Sequence, residues 1–216
     1  METKYNFLSG YINGSISGLV QNTITYPLDT LKIRIQKGKN IRSNFFSGIG
    51  ESSLSTILTT SLGFGTNEFS KRYVSSEYKS GFIAGIVNGI ICTPLESLKI
   101  RKQLNYKVLN KFYIYKGFNA TLARECIGNS IYFGVYNDMT KNKEKTNINI
   151  LVSGGIAGSL SWFITYPIDV IKTRVQTGLT YKEALKNKQF IKGLGYCLLR
   201  SFLGNAIGFY VYEKLK

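Results

Sequence analysis

Six stretches of this chain carry no Asp, Glu, Lys or Arg. Residues 5–28 span 24 positions and 146–168 span 23; 52–67 and 80–95 span 16 each, and 126–137 and 201–212 span 12 each. A helix needs about 20 mostly apolar residues to cross a bilayer. By that measure two stretches qualify, two are borderline and two are short. None is uniformly apolar: Ser9-Gly10-Tyr11-Ile12-Asn13-Gly14 mixes small and polar residues into the first. A helix that meets lipid on one side, neighbouring helices on another and a wet cavity on a third can be written this way. The same mixture accounts for a mean hydropathy of −0.04, low for a membrane protein.

A repeat organises these stretches. All three prolines occur in one pattern: Pro27-Leu28-Asp29-Thr30-Leu31-Lys32-Ile33-Arg34-Ile35-Gln36, then Pro94-Leu95-Glu96-Ser97-Leu98-Lys99-Ile100-Arg101-Lys102-Gln103, then Pro167-Ile168-Asp169-Val170-Ile171-Lys172-Thr173-Arg174-Val175-Gln176. Upstream, Gly14 and Gly18, Gly81 and Gly85, and Gly154 and Gly158 recur at one offset from each proline. Small residues four apart let helices approach closely in lipid. Downstream, Gly48, Gly117 and Gly193 are each followed sixteen residues later by Phe64, Phe133 or Phe209. Each unit reads as a helix with proline near its far end, a short basic connection and a second helix. The prediction is an all-α membrane protein of six transmembrane helices, in three pseudo-threefold-related repeats around a central cavity. It forms one domain over 1–216, with repeats near 5–74, 75–143 and 144–216.

The triplicated Pro-x-acid-x-x-Lys-x-Arg pattern, with Tyr115-Lys116-Gly117 and Ile191-Lys192-Gly193 at a second signature, resembles the mitochondrial carrier family over nearly the whole chain. The resemblance implies a solute transporter, a central path gated at both ends, and residence in the mitochondrial inner membrane as a monomer, with cardiolipin among its lipid contacts. The chain also departs from the family. Gln36 to Gly48 is 12 positions, Gln103 to Gly117 is 14 and Gln176 to Gly193 is 17. These connections are shorter than the family's and lack its acid-Gly pair, so the surface helices usual there are not expected.

Proline inside a helix removes a backbone hydrogen bond and bends it. Pro27, Pro94 and Pro167 are therefore the expected kinks that bring three helix ends together. The acid and lysine after each proline share a helix face. The inner gate then pairs Asp29 with Lys99, Glu96 with Lys172 and Asp169 with Lys32, with Gln36, Gln103 and Gln176 as braces. A static salt-bridged core is the alternative. The resemblance implies a second gate from Glu68 with Lys71 and Glu213 with Lys216; at the matching second-repeat positions stand Asn137 and Thr140, with Asp138 and Lys141 offset by one.

Seven residues beyond the equivalent glycines stand Ser55, Arg124 and Arg200, at the level where the resembled family contacts its substrate. Ser55, Thr56, Arg124, Glu125 and Arg200 are the substrate-binding candidates. Arginines suit a carboxylate or phosphate through forked hydrogen bonds, and Glu125 suits an ammonium. An Arg-Glu pair here resembles carriers of amino acids and derivatives such as S-adenosylmethionine; a nucleotide or deoxynucleotide exchanger, or a carrier-shaped membrane protein without transport, are the alternatives. Arg124 and Glu125 pairing only with each other is the plainer reading of those two.

Composition narrows the field further. Net charge is +16, from 28 Lys and Arg against 12 Asp and Glu. That balance fits a nucleic-acid binder as well as a membrane protein, but the charges recur beside uncharged spans rather than along one amphipathic face. No nucleic-acid partner is expected. Segments 32–42, 99–116 and 172–192 hold 5, 6 and 6 basic residues, which puts the connections after each proline motif on the interior face. There is no His, and Cys92, Cys126 and Cys197 lie far apart without ligand spacing, so neither metal nor cofactor is expected. No nucleophile–base pair or phosphate loop appears, which argues against an enzyme. No secretory leader is legible in 1–7.

Overall fold

The computed structural model describes residues 2–36, 46, 49–103, 115–142, 144, 146–186, 188–191 and 193–216, with the side chains of 2–7, 29–36, 51 and 98–103 left aside. Its elements are α1 (Glu2–Gln36), α2 (Ile49–Ser70), α3 (Glu77–Gln103), α4 (Phe118–Thr140), α5 (Asn147–Gln176), α6 (Tyr181–Lys186) and α7 (Leu194–Leu215). All the described secondary structure is helical. The six long helices close a ring in the order α1, α2, α3, α4, α5, α7, with α7 returning to α1.

The small residues explain how the ring packs. Gly14 and Gly18 of α1 face Thr56 to Phe64 of α2; Gly81 and Gly85 of α3 face Glu125 to Ser130 of α4; Gly154 and Gly158 of α5 face Asn205 and Phe209 of α7. A Cβ at Gly85 would meet the backbone of Glu125 and Cys126, so these helices touch main chain to main chain. Pro27, Pro94 and Pro167 lie inside α1, α3 and α5, and each helix continues beyond its proline. Just before them, the hydroxyls of Thr25, Thr93 and Thr165 donate to the carbonyls of Gln21, Gly89 and Ser161 one turn back. Such back-bonding spares a buried hydroxyl its desolvation cost and favours bending.

Burial is inverted relative to a bundle folded in water. The most deeply buried side chains include Thr25, Thr93, Thr121, Ser17 and Ser80 beside Val175 and Cys92. Leu8, Ile12, Ile16 and Leu19 form an exposed stripe on α1, and Ile148, Val152, Ile156 and Phe163 another on α5. Many small polar groups face in, beside a buried knot of aromatic rings, and many large apolar residues face out, the arrangement a lipid environment selects. Among the described helices, α5 combines 30 residues with an 18-residue window of hydropathy 1.4, enough by length and composition to cross a membrane.

Contrary to the expectation of bare connections, the α5–α7 link holds α6. Its start is a capping box. Thr180 N donates to Glu183 Oε2 at 2.8 Å and Glu183 N donates to Thr180 Oγ1 at 3.3 Å. Arg174 fastens its far end by donating to the Ala184 carbonyl at 2.7 Å. The entries to α4 and α7 use Gly117 and Gly193 at φ 84° and 89°, a left-handed turn that explains glycine at the second signature.

Candidate functional site

Inside the ring lies a cavity of about 350 Å³. Ser55 and Thr56 of α2, Arg124 and Glu125 of α4 and Arg200 of α7 all line it. Thr56 also reaches Asn22 of α1, whose amide oxygen accepts from Thr56 Oγ1 at 3.4 Å and from Ser52 Oγ at 3.0 Å.

The floor of this cavity is charged. Lys172 Nζ bonds Glu96, so α5 and α3 meet there through an acid and a lysine of different proline motifs. Arg124 joins the same cluster. Its guanidinium bonds Glu125 on its own helix, lies 3.4 Å from Glu96 Oε1 and brings Nε to 3.5 Å from Asp169 Oδ1. It also stands 5.7 Å from the ring centre of Trp162, within cation–π range. Arg124 is thus committed to three carboxylates rather than standing open to a ligand alone. The side chains of Asp29, Lys32, Gln36, Lys99 and Gln103 lie outside the described residues. Gln176 is buried, and neither atom of its amide forms a hydrogen bond among the described residues, so it does not brace Lys172 in this conformation.

Above the cavity the path is filled by rings. Phe64, Phe133 and Phe209, from α2, α4 and α7, pack edge to face with centroids 5.3 to 6.4 Å apart. Tyr212 stacks on Phe64 at 4.1 Å and Tyr136 on Phe209 at 3.6 Å. Such pairs add about 0.5–1.5 kcal/mol beyond the area they bury. Beyond this layer lies a second cavity of about 350 Å³. Around it Lys216 Nζ lies 2.8 Å from Glu68 Oε1, and Lys71 Nζ lies 3.0 Å from Glu77 Oε1 and 3.6 Å from Glu68 Oε2; away from its wall, the exposed Tyr78 of α3 donates to Asp138 of α4 at 2.6 Å. The ammonium of Lys216 crosses between helices, from the end of α7 to α2, as a member of a ring would. Glu213 lines the same cavity.

A family model for mitochondrial carrier protein matches residues 3–44 and 143–216, more than half of the chain. The chain belongs to the mitochondrial carrier family. Among similar proteins, the glutamate/glycine mitochondrial carrier of Schizosaccharomyces pombe is 26% identical, over 95% of this chain and 92% of its own length. The mitochondrial arginine transporter of Arabidopsis thaliana is 27% identical, over 93% and 86%. A mitochondrial carrier-like protein of Acanthamoeba polyphaga mimivirus is 26% identical, over 87% of both chains. Members of the family are integral membrane transporters of the mitochondrion rather than enzymes, and the carrier takes its place among them.

Sequence reasoning passed over several residues of the carrier's site. Gln21, Asn88 and Ser161 stand six before each proline, and Thr60, Asn129 and Asn205 stand five beyond Ser55, Arg124 and Arg200. All six line the inner cavity, as a neutral polar belt between the charged floor and the aromatic layer. The repeat offset is the signal that finds them. Trp162 and Glu77 have no repeat counterpart to announce them.

Proposed function

We propose that this carrier moves a small charged metabolite across the mitochondrial inner membrane by alternating access, with six membrane-spanning helices in three repeats forming one domain. The observation that carries this reading is the axial cavity, polar-walled and floored by Glu96, Arg124, Glu125 and Asp169, shut by aromatic rings on one side and ion pairs on the other. Its 350 Å³ suits a solute of amino-acid size, at the low end for small-molecule sites. Carboxylates and arginines side by side suit a zwitterion better than a polyphosphate, which would want cations alone. Amino acids and their derivatives, S-adenosylmethionine among them, are therefore the favoured class. Relatives named for glutamate and glycine and for arginine lean the same way. On this reading Lys172–Glu96 and the Arg124 cluster close the interior side, Asp29, Lys32 and Lys99 complete that ring, and Gln36, Gln103 and Gln176 serve it in other states of the cycle. The carrier works as a monomer, with membrane lipids such as cardiolipin at its outer wall.

Uptake by the purified chain in liposomes tests this directly, with amino acids, S-adenosylmethionine and nucleotides compared under exchange conditions. Saturable amino-acid or S-adenosylmethionine uptake, lost in Arg124→Ala, is the expected result. Transport of nucleotides alone overturns the substrate class, and unchanged uptake by Arg124→Ala overturns the site.

A further inference from the structure

The outer end of the carrier is not threefold. The end of α2 supplies Glu68, with Lys71 just past it, and the end of α7 supplies Glu213, with Lys216 just past it, whereas α4 has uncharged Asn137 and Thr140 in register with them. Lys71 therefore has no acid at that register on α4. It turns instead to Glu77, the first residue of α3, at 3.0 Å. Among the described residues Glu77 has Lys71 as its ion-pair partner, and its other oxygen, Oε2, is buried without a hydrogen bond. This pair stays within the turn joining α2 to α3. The pair that crosses between α7 and α2 is Lys216 with Glu68, at 2.8 Å.

Glu68 is shared. Lys71 lies 3.6 Å from its second oxygen, beyond good charge-assisted hydrogen-bond length. What keeps Lys71 at that distance is Glu77. Without the Glu77 charge, Lys71, one residue past the end of α2, would settle on Glu68 three residues back, where little chain entropy opposes the contact. Two ammonium groups would then crowd one carboxylate. Lys216, 46% exposed at its side chain and held from another helix, is the one to leave.

We propose that Glu77 is a positioning residue of the outer closure: by holding Lys71 away from Glu68, it reserves Glu68 for the α7 lysine that shuts the path. The assignment rests on the carrier reading above, but its test does not use transport. A cysteine introduced as Asn137→Cys, on the wall of the outer cavity, is labelled in proteoliposomes with a membrane-impermeant maleimide, and labelling is counted above the parent chain without it. Glu77→Gln should raise the labelling rate about fivefold, the scale expected for loss of one exposed ion pair. Glu77→Asp should keep the original rate. The double variant Glu77→Gln with Lys71→Gln should return to the original rate, since the competitor is gone and Lys216 regains Glu68. A merely structural Glu77 predicts no such rescue. Labelling of Glu77→Gln at the original rate, or a double variant as fast as Glu77→Gln, overturns the proposal. Absence of uptake by the unaltered chain speaks against the carrier reading and leaves the labelling ratios decisive for Glu77.

Discussion

The two ends of the ring use the same kinds of charge to different effect. At the inner end, Arg124 and Lys172 are almost out of water, with side chains 13% and 5% exposed, and they knit α3, α4 and α5 into one cluster. At the outer end, Lys216 is 46% exposed and Lys71 33%, and the charges line up along α7, α2 and α3 while α4 stands aside. Removing one partner from a buried ion pair strands the other, at about 3–5 kcal/mol, whereas an exposed pair is worth about 0–1 kcal/mol. The inner cluster is therefore costly to disrupt one partner at a time. The outer row is a weak junction that leans on aromatic packing.

Substitutions can break this contrast in graded steps. Arg124→Ala leaves Glu96, Glu125 and Asp169 without their shared cation, and thermal melting in detergent should fall by about 10 °C. Lys172→Met strips Glu96 of one cation but leaves it Arg124, so a smaller fall of about 5 °C is expected in the same assay. Lys216→Gln removes only an exposed partner, and its melting temperature should stay within about 2 °C of the unaltered chain. A larger fall for Lys216→Gln than for Lys172→Met would reverse the ranking of the two ends.

The smallest effect should come from α6. The Thr180 backbone N–H, then its hydroxyl, holds the exposed Glu183 carboxyl below its ordinary value of 4.5. A carboxyl with a lowered folded-state value stabilises the fold above its unfolded value, and loses that contribution as pH falls through the lowered one. Acid-active protease should therefore cut near 179–190 more readily as pH drops below 4.5, with global melting little changed. Glu183→Gln should abolish that pH dependence.

Much of the architecture was readable because the threefold repeat writes each feature three times. The glycine pairs announce close helix contacts, and the structure puts them at the α1–α2, α3–α4 and α5–α7 seams. Ser55, Thr56, Arg124, Glu125 and Arg200 share one cavity for the same reason: equivalent offsets on symmetric helices arrive at equivalent heights. What the repeat could not reveal is what breaks it. Arg124 joins Glu96 and Asp169 because its long side chain reaches acids on α3 and α5, which sequence offset does not specify. Lys71 selects Glu77 by competition among neighbours, which no single-residue offset encodes. The α6 helix was legible locally, since Thr180 and Glu183 spell a capping box. Connection length alone does not reveal it.

Trp162 is the chain's one tryptophan, and it stands on the cavity wall against the Arg124 guanidinium. Its indole emission is consequently an intrinsic optical reporter of that cavity. A solute that draws Arg124 away changes the colour and intensity of light from a single known place, with no dye attached and no membrane potential needed.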